Sequence, residues 1–168
     1  MRFDIVPINS AYSGIDRSLM TDDFLTPETK PHFDTLLAMY FSYIDLTCNP
    51  YESFAYDEKR FRVIQGFYEQ FRKYNVACEL IVYNTTPVDF VYDAPIEFLG
   101  IDIVQDMAES LISYNQQIDI SVKRYLNTKG LFDNPMATQN AMDLLKVDAD
   151  VWKPCWVYKV IDEKEHKR

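Results

Sequence analysis

The run Pro95–Glu109, PIEFLGIDIVQDMAE, constrains this chain most. Its first half alternates in the manner of a half-buried strand. Gly100 then interrupts it, which marks a bulge or the close approach of another backbone. Its second half sets out Asp102, Asp106 and Glu109 with no positive charge among them. The same bias extends outward: from Tyr74 to Val122 there is no lysine or arginine, while Glu79, Asp89, Asp93, Glu97, Asp102, Asp106, Glu109 and Asp119 all lie inside. The formal net charge of all 168 residues is −9, so nearly the whole surplus belongs to this window. Charge gathered in that way speaks about partners more than about fold.

Hydrophobic spacing predicts the elements on either side. Phe3–Ile8 reads as an opening strand. Thr26–Pro27 and Lys30–Pro31 offer two helix starts, because proline is tolerated where its missing N–H is not needed. Phe33, Leu36, Leu37, Tyr40 and Ile44 then place a helix over Pro31–Leu46, closed by Asn49–Pro50. Asp57 is an N-cap for a second helix in which Phe61, Ile64, Phe67 or Tyr68, Phe71 and Tyr74 share a face, with Lys59, Arg60, Arg62, Arg72 and Lys73 on a solvated basic face. Asn75 suits a left-handed helix end.

Ala77–Tyr83 alternates as a strand and stops at Asn84–Thr85–Thr86–Pro87, a turn that happens to match a glycosylation triplet. Val88–Tyr92 and Ile96–Ile103 read as strands joined by a turn at Asp93–Ala94–Pro95. Met107, Leu111, Tyr114 and Ile118 look helical, and a further helical piece carries Val122, Tyr125 and Leu126 up to Gly130. Asn134–Pro135 opens a short helix with Ala137, Ala141, Leu144 and Leu145 on one side. Cys155–Ile161 is a last strand. Strands and helices come in runs, which predicts an α+β fold with a mainly antiparallel sheet packed with helices. We expect one domain over residues 1–161 and a charged tail over 162–168.

A hydrophobic content of 48% with 15% aromatics implies an ordered core rather than a disordered chain. The acidic balance argues against direct nucleic-acid ligands and anionic membranes, since phosphate is held by lysine and arginine. The start MRFDIVPINS lacks an apolar stretch of signal-peptide length, and the expectation is a cytoplasmic protein. Cys48, Cys78 and Cys155 are too far apart for a CxxC site and read as small buried hydrophobes.

The four glycines stand far apart, so no phosphate-cradling loop can be drawn. His32 and His166 form no metal-ligand spacing, and His32 would meet a cysteine only through tertiary contact. Asp102, Asp106 and Glu109 are the enzymatic alternative. Four and three apart, they would share one side of a helix and hold a divalent metal, or act as acid and base. Solvated carboxylates are the simpler explanation of such loose spacing. A third reading fits the charge distribution better: acids interleaved with Tyr83, Phe90, Tyr92, Phe98 and Tyr114 provide electrostatic steering and aromatic contact area for a basic protein partner.

Phe98–Leu99–Gly100–Ile101–Asp102–Ile103, with the acidic, small-residue stretch to Ser110, resembles the LG(Y/I)D(I/V) segment of small bacterial immunity proteins from polymorphic toxin and contact-dependent growth inhibition systems. Tyr125–Leu126–Asn127 with Gly130–Leu131–Phe132, and Trp156–Val157–Tyr158–Lys159, are similar in style, so the resemblance spans the C-terminal half. It implies a non-enzymatic antitoxin that binds one cognate toxin C-terminal domain, a basic nuclease, and requires no cofactor or metal. The expected partner-binding residues are Asp89, Tyr92, Asp93, Glu97, Asp102, Asp106, Glu109 and Tyr114. A divalent-metal enzyme using Asp102, Asp106 and Glu109, or a phage or structural interaction protein, are the alternatives.

Overall fold

A computed structural model describes residues 1–8, 26–47, 58–105, 109–111 and 120–162. Strand β1 (Arg2–Pro7) is followed by helices α1 (Lys30–Thr47) and α2 (Glu58–Lys73) and by strand β2 (Cys78–Asn84). A hairpin of β3 (Phe90–Val91) and β4 (Ala94–Gln105) comes next, and β5 (Glu109–Ser110) folds back on β4. Helices α3 (Ile120–Lys123) and α4 (Pro135–Leu145) precede the last strand, β6 (Lys153–Val160). Every pairing is antiparallel, in the order β1-β2-β6-β4-β3 with β5 on β4. The α+β expectation therefore holds.

Helix α1 starts at the second of its two signals, and the first serves as its lead-in. Thr26 and Thr29 bond to each other's backbone N–H, and Lys30 N–H donates to Thr26 O at 2.9 Å. In α2 the apolar stripe buries Phe61, Ile64, Tyr68 and Phe71, as the 3.6-residue period requires. Arg60 departs from the basic face assigned to it: it is buried, being one position from Phe61 on the inward side. Asp57, the expected N-cap, lies outside the described residues. Asn75 does take a left-handed backbone, with φ 60°.

The two long helices cover one face of the sheet. Phe3 meets Phe61 with ring centroids 5.1 Å apart, Phe33 meets Phe71 at 5.4 Å, and Tyr40 packs on both Phe67 and Phe71 at 5.5 Å. Each buried aromatic of this kind contributes roughly 2–3 kcal/mol through area removed from water. The same face continues past Trp156 into a second cluster of Ile101, Ile103, Val122, Phe132, Ala141 and Met142, which seats α4 on β4. Asn134 caps α4 by accepting the Ala137 N–H. Leu144, expected on its inner side, is exposed, and Met142 takes the buried position. The opposite sheet face buries Val6, Ile81, Tyr83, Leu99, Val104, Leu131, Cys155 and Val157.

Gly100 meets both expectations placed on it. The β4–β6 register slips between Phe98 and Gly100, and Gly100 adopts φ 144°. A Cβ there would lie 2.6 Å from Leu131 Cβ and 2.9 Å from Phe132 O, so only glycine leaves room for the segment that bridges Ile101 to Phe132.

Three expectations are corrected. The strand expected over Val88–Tyr92 reduces to two residues, because Val88 leaves the edge to donate its N–H to Tyr158 Oη at 3.1 Å. The helical pattern expected over Met107, Leu111, Tyr114 and Ile118 is cut short: Glu109–Ser110 is strand, paired with Val104–Gln105, Leu111 is helical, and Met107 lies outside the described residues. Tyr114 and Ile118 lie outside the described residues, as does the tail beyond Asp162. The last strand is two residues out of register with the expected Cys155–Ile161 at its start, since Pro154 sits inside β6.

Candidate docking surface

Among the described residues of the acidic window, Asp89 and the β3–β4 hairpin that follows it carry the exposed acids. The hairpin turn is Tyr92–Asp93, one residue earlier than expected, with φ 46° and 67°. Two left-handed central residues are what a two-residue type I′ hairpin turn demands, normally met by Asn or Gly. A tyrosine in that conformation is uncommon and strained. Neighbouring elements hold it: the Tyr92 ring lies 5.3 Å from that of Phe61 and 6.4 Å from that of Phe3, and Arg62 donates to Tyr92 O at 3.0 Å. Tyr92 is thus half-buried against the core rather than a free aromatic contact.

Around this turn Asp89, Asp93 and Glu97 are exposed. Two large aromatics accompany them: Phe90 is 64% exposed and Phe98 45%. By register Phe90 shares a side with Pro95 and Glu97, whereas Phe98 alternates to the other side and stacks on Tyr158 at 5.6 Å. The edge of the sheet therefore presents an aromatic on either side, with carboxylates between and below.

Three carboxylates of the acidic window, Glu97 among them, are engaged within the sheet. Lys159 on β6 sits between Glu97, at 3.0 Å, and Glu79, at 3.5 Å, and these carboxylates raise its pKa. Asp102, expected to face a partner, is 1% exposed. Its Oδ1 accepts the Ile103 N–H at 2.8 Å and the Ser110 hydroxyl at 2.9 Å, and burial pushes its pKa up to about 7. Tyr83 is likewise buried, with the Arg2 guanidinium over its ring at 4.9 Å, and burial raises its pKa. Glu109 lies on β5. Asp106 and Tyr114 fall outside the described residues.

These placements also dissolve the shared helical face of Asp102, Asp106 and Glu109. Asp102 belongs to a strand, and Glu109 to the strand that returns beside it. Among the described residues no three His, Cys, Asp or Glu side chains gather as a metal-ligand set. His32 is exposed on α1, while Cys78 and Cys155 are buried and pushed up to about 12, which keeps both thiols protonated and inert. No helix among the described residues is long and apolar enough to cross a membrane.

Sequence reasoning missed the cavity of about 340 Å³ between α2 and the hairpin turn, lined in part by Gln65, Tyr68, Glu69, Asp93 and Asp162. Its lining comes from four segments far apart in the chain, and no local pattern joins them. No protein-family model, curated protein or solved structure matches this chain.

Proposed function

We propose that this chain is a non-enzymatic immunity protein that neutralises a basic, nuclease-type toxin domain by clasping it with the β3–β4 edge. The observation that carries this reading is the joint exposure of Phe90 and Phe98 beside Asp89 and Asp93 on one hairpin. Exposed aromatics supply the buried contact that dominates binding energy, and surrounding carboxylates speed and orient the approach of a cation-rich surface. The docking acids are fewer than the sequence window implied, since Lys159 engages two and the core takes Asp102. The resemblance of the Phe98–Ile103 segment to immunity proteins supports the same reading.

The test is co-expression with the toxin fragment encoded beside this gene. Cells should survive with the intact chain and die with Phe90→Ser, a variant that should melt at the temperature of the parent. Toxicity undiminished by the intact chain would refute the proposal, as would an association rate indifferent to salt.

A further inference from the structure

We propose that the cavity between α2 and the hairpin turn receives an arginine or lysine side chain of the basic partner, an inference that rests on the docking reading and specifies one of its contacts. The floor of the cavity is apolar, made by Leu80 and Val160, with the buried Tyr68 alongside. Glu69 and Asp93 stand around it, against one cation among its lining residues, Arg62. The Arg62 guanidinium is already engaged by Glu58 at 3.2 Å, Gln65 at 3.3 Å and Tyr92 O at 3.0 Å. Its charge is answered, and the surplus left at the opening is negative.

An apolar floor under an anionic mouth matches a side chain with an aliphatic stem and a cationic head. A free carboxylate or phosphate ligand would face uncompensated repulsion there, and a wholly apolar one would leave the carboxylates without a counter-charge. At about 340 Å³ the cavity sits near the lower end of small-ligand sites, which run from roughly 300 to 1,000 Å³, so one long side chain fits its scale. Asp93 belongs both to the cavity wall and to the exposed hairpin turn, so a partner lying on the hairpin has this opening directly beneath it. The strained turn keeps that carboxylate in place.

Acetyl-Gly-Arg-Gly-amide, its lysine analogue and its citrulline analogue, titrated into the full-length ¹⁵N-labelled protein, test this by amide shift mapping. The arginine or lysine peptide should give saturable shifts centred on Gln65, Ala94 and Ile161, with a dissociation constant on the order of 1 mM. The citrulline peptide, isosteric but uncharged, should give none. The double variant Glu69→Gln with Asp93→Asn should weaken binding about fivefold, the effect of two partly exposed ion pairs. Asn tolerates the left-handed backbone at position 93, so the hairpin persists. Asp89→Asn and Phe90→Ser, both outside the cavity, should leave the titration unchanged. Failure of both cationic peptides to shift these amides, or equal shifts from citrulline, overturns the inference even if the chain still neutralises its toxin. Saturable cationic binding without neutralisation would leave the pocket's specificity standing and remove the docking reading instead.

Discussion

The hydroxyl of Tyr40 on α1 donates to the carboxylate of Asp4 on β1, and the same oxygen accepts the Ile5 N–H at 2.9 Å. One helical side chain thereby satisfies a main-chain donor of a strand at the edge of the sheet, across 35 residues of chain. Burial raises the Tyr40 pKa, first by desolvation and then through the Asp4 charge, so the hydroxyl stays a donor throughout the ordinary pH range.

Tyr40→Phe should therefore destabilise by about 1–3 kcal/mol, because it removes a buried hydrogen bond to a carboxylate, even though the Ile5 N–H keeps Asp4 Oδ1 at 3.1 Å. Tyr83→Phe makes the contrast: the Tyr83 hydroxyl is buried with no hydrogen-bond partner among the described residues. Removing it should raise stability slightly. Urea unfolding of the two variants side by side measures both, and equal losses would show that packing alone governs these positions.

Asp102 should make the protein less stable as pH rises. Its folded pKa is about 7 against an ordinary 3.8, so between those values the folded state holds a proton that the unfolded state has released. The slope of unfolding free energy with pH is then negative from about pH 4 to pH 7 and flattens above. The shift corresponds to at most roughly 4 kcal/mol. Asp102→Asn should abolish this dependence, while its amide keeps an oxygen for the Ile103 N–H. Denaturation curves at successive pH values for the two proteins should diverge at neutral pH and converge toward pH 4.

Gly100→Ala should cost at least about 2 kcal/mol, combining a left-handed φ with a methyl group driven into Leu131 and the Phe132 carbonyl. A thermal melt reads the loss directly. Gly66→Ala, where an added Cβ meets nothing within 4 Å on helix α2, should instead stabilise by roughly 0.5–1 kcal/mol.

Lys159→Met should release Glu79 and Glu97 from their shared cation and deepen the negative potential beside the hairpin. Stability should fall by no more than about 1 kcal/mol, since the pairs are partly solvated. Association with a basic toxin domain should become several-fold faster at low salt, with the gain disappearing at high salt. Stopped-flow fluorescence at two ionic strengths would reveal it, and an unaltered rate would count against steering by this edge.

What could be read from the sequence was whatever depends on neighbours within a few positions. The apolar stripes of α1 and α2, the Asn134 cap, the left-handed Asn75 and the interruption at Gly100 all have local causes. Tyr92 was beyond reach, because a bulky residue enters the left-handed region only when Phe61, Phe3 and Arg62 hold it there. The depth of Asp102 was hidden for a related reason. A polar residue alternating with Ile101 and Ile103 reads as solvent-facing, but β4 is buried on both sides from Leu99 to Val104. The charge window misled in the same way: it counted acids along the chain, and Lys159 answers two of them from the adjacent strand.

Strict alternation would set Ile96 and Phe98 on the side opposite to Ile101 and Ile103. The one-residue offset at Gly100 resets the parity, so all four point the same way and Asp102 points the other. A single strand thus works as two blades joined by a hinge of fixed geometry, the first exposed at Glu97 and Phe98 and the second locked beneath α4. Change in the exposed half need not rewrite the half that keeps the protein folded.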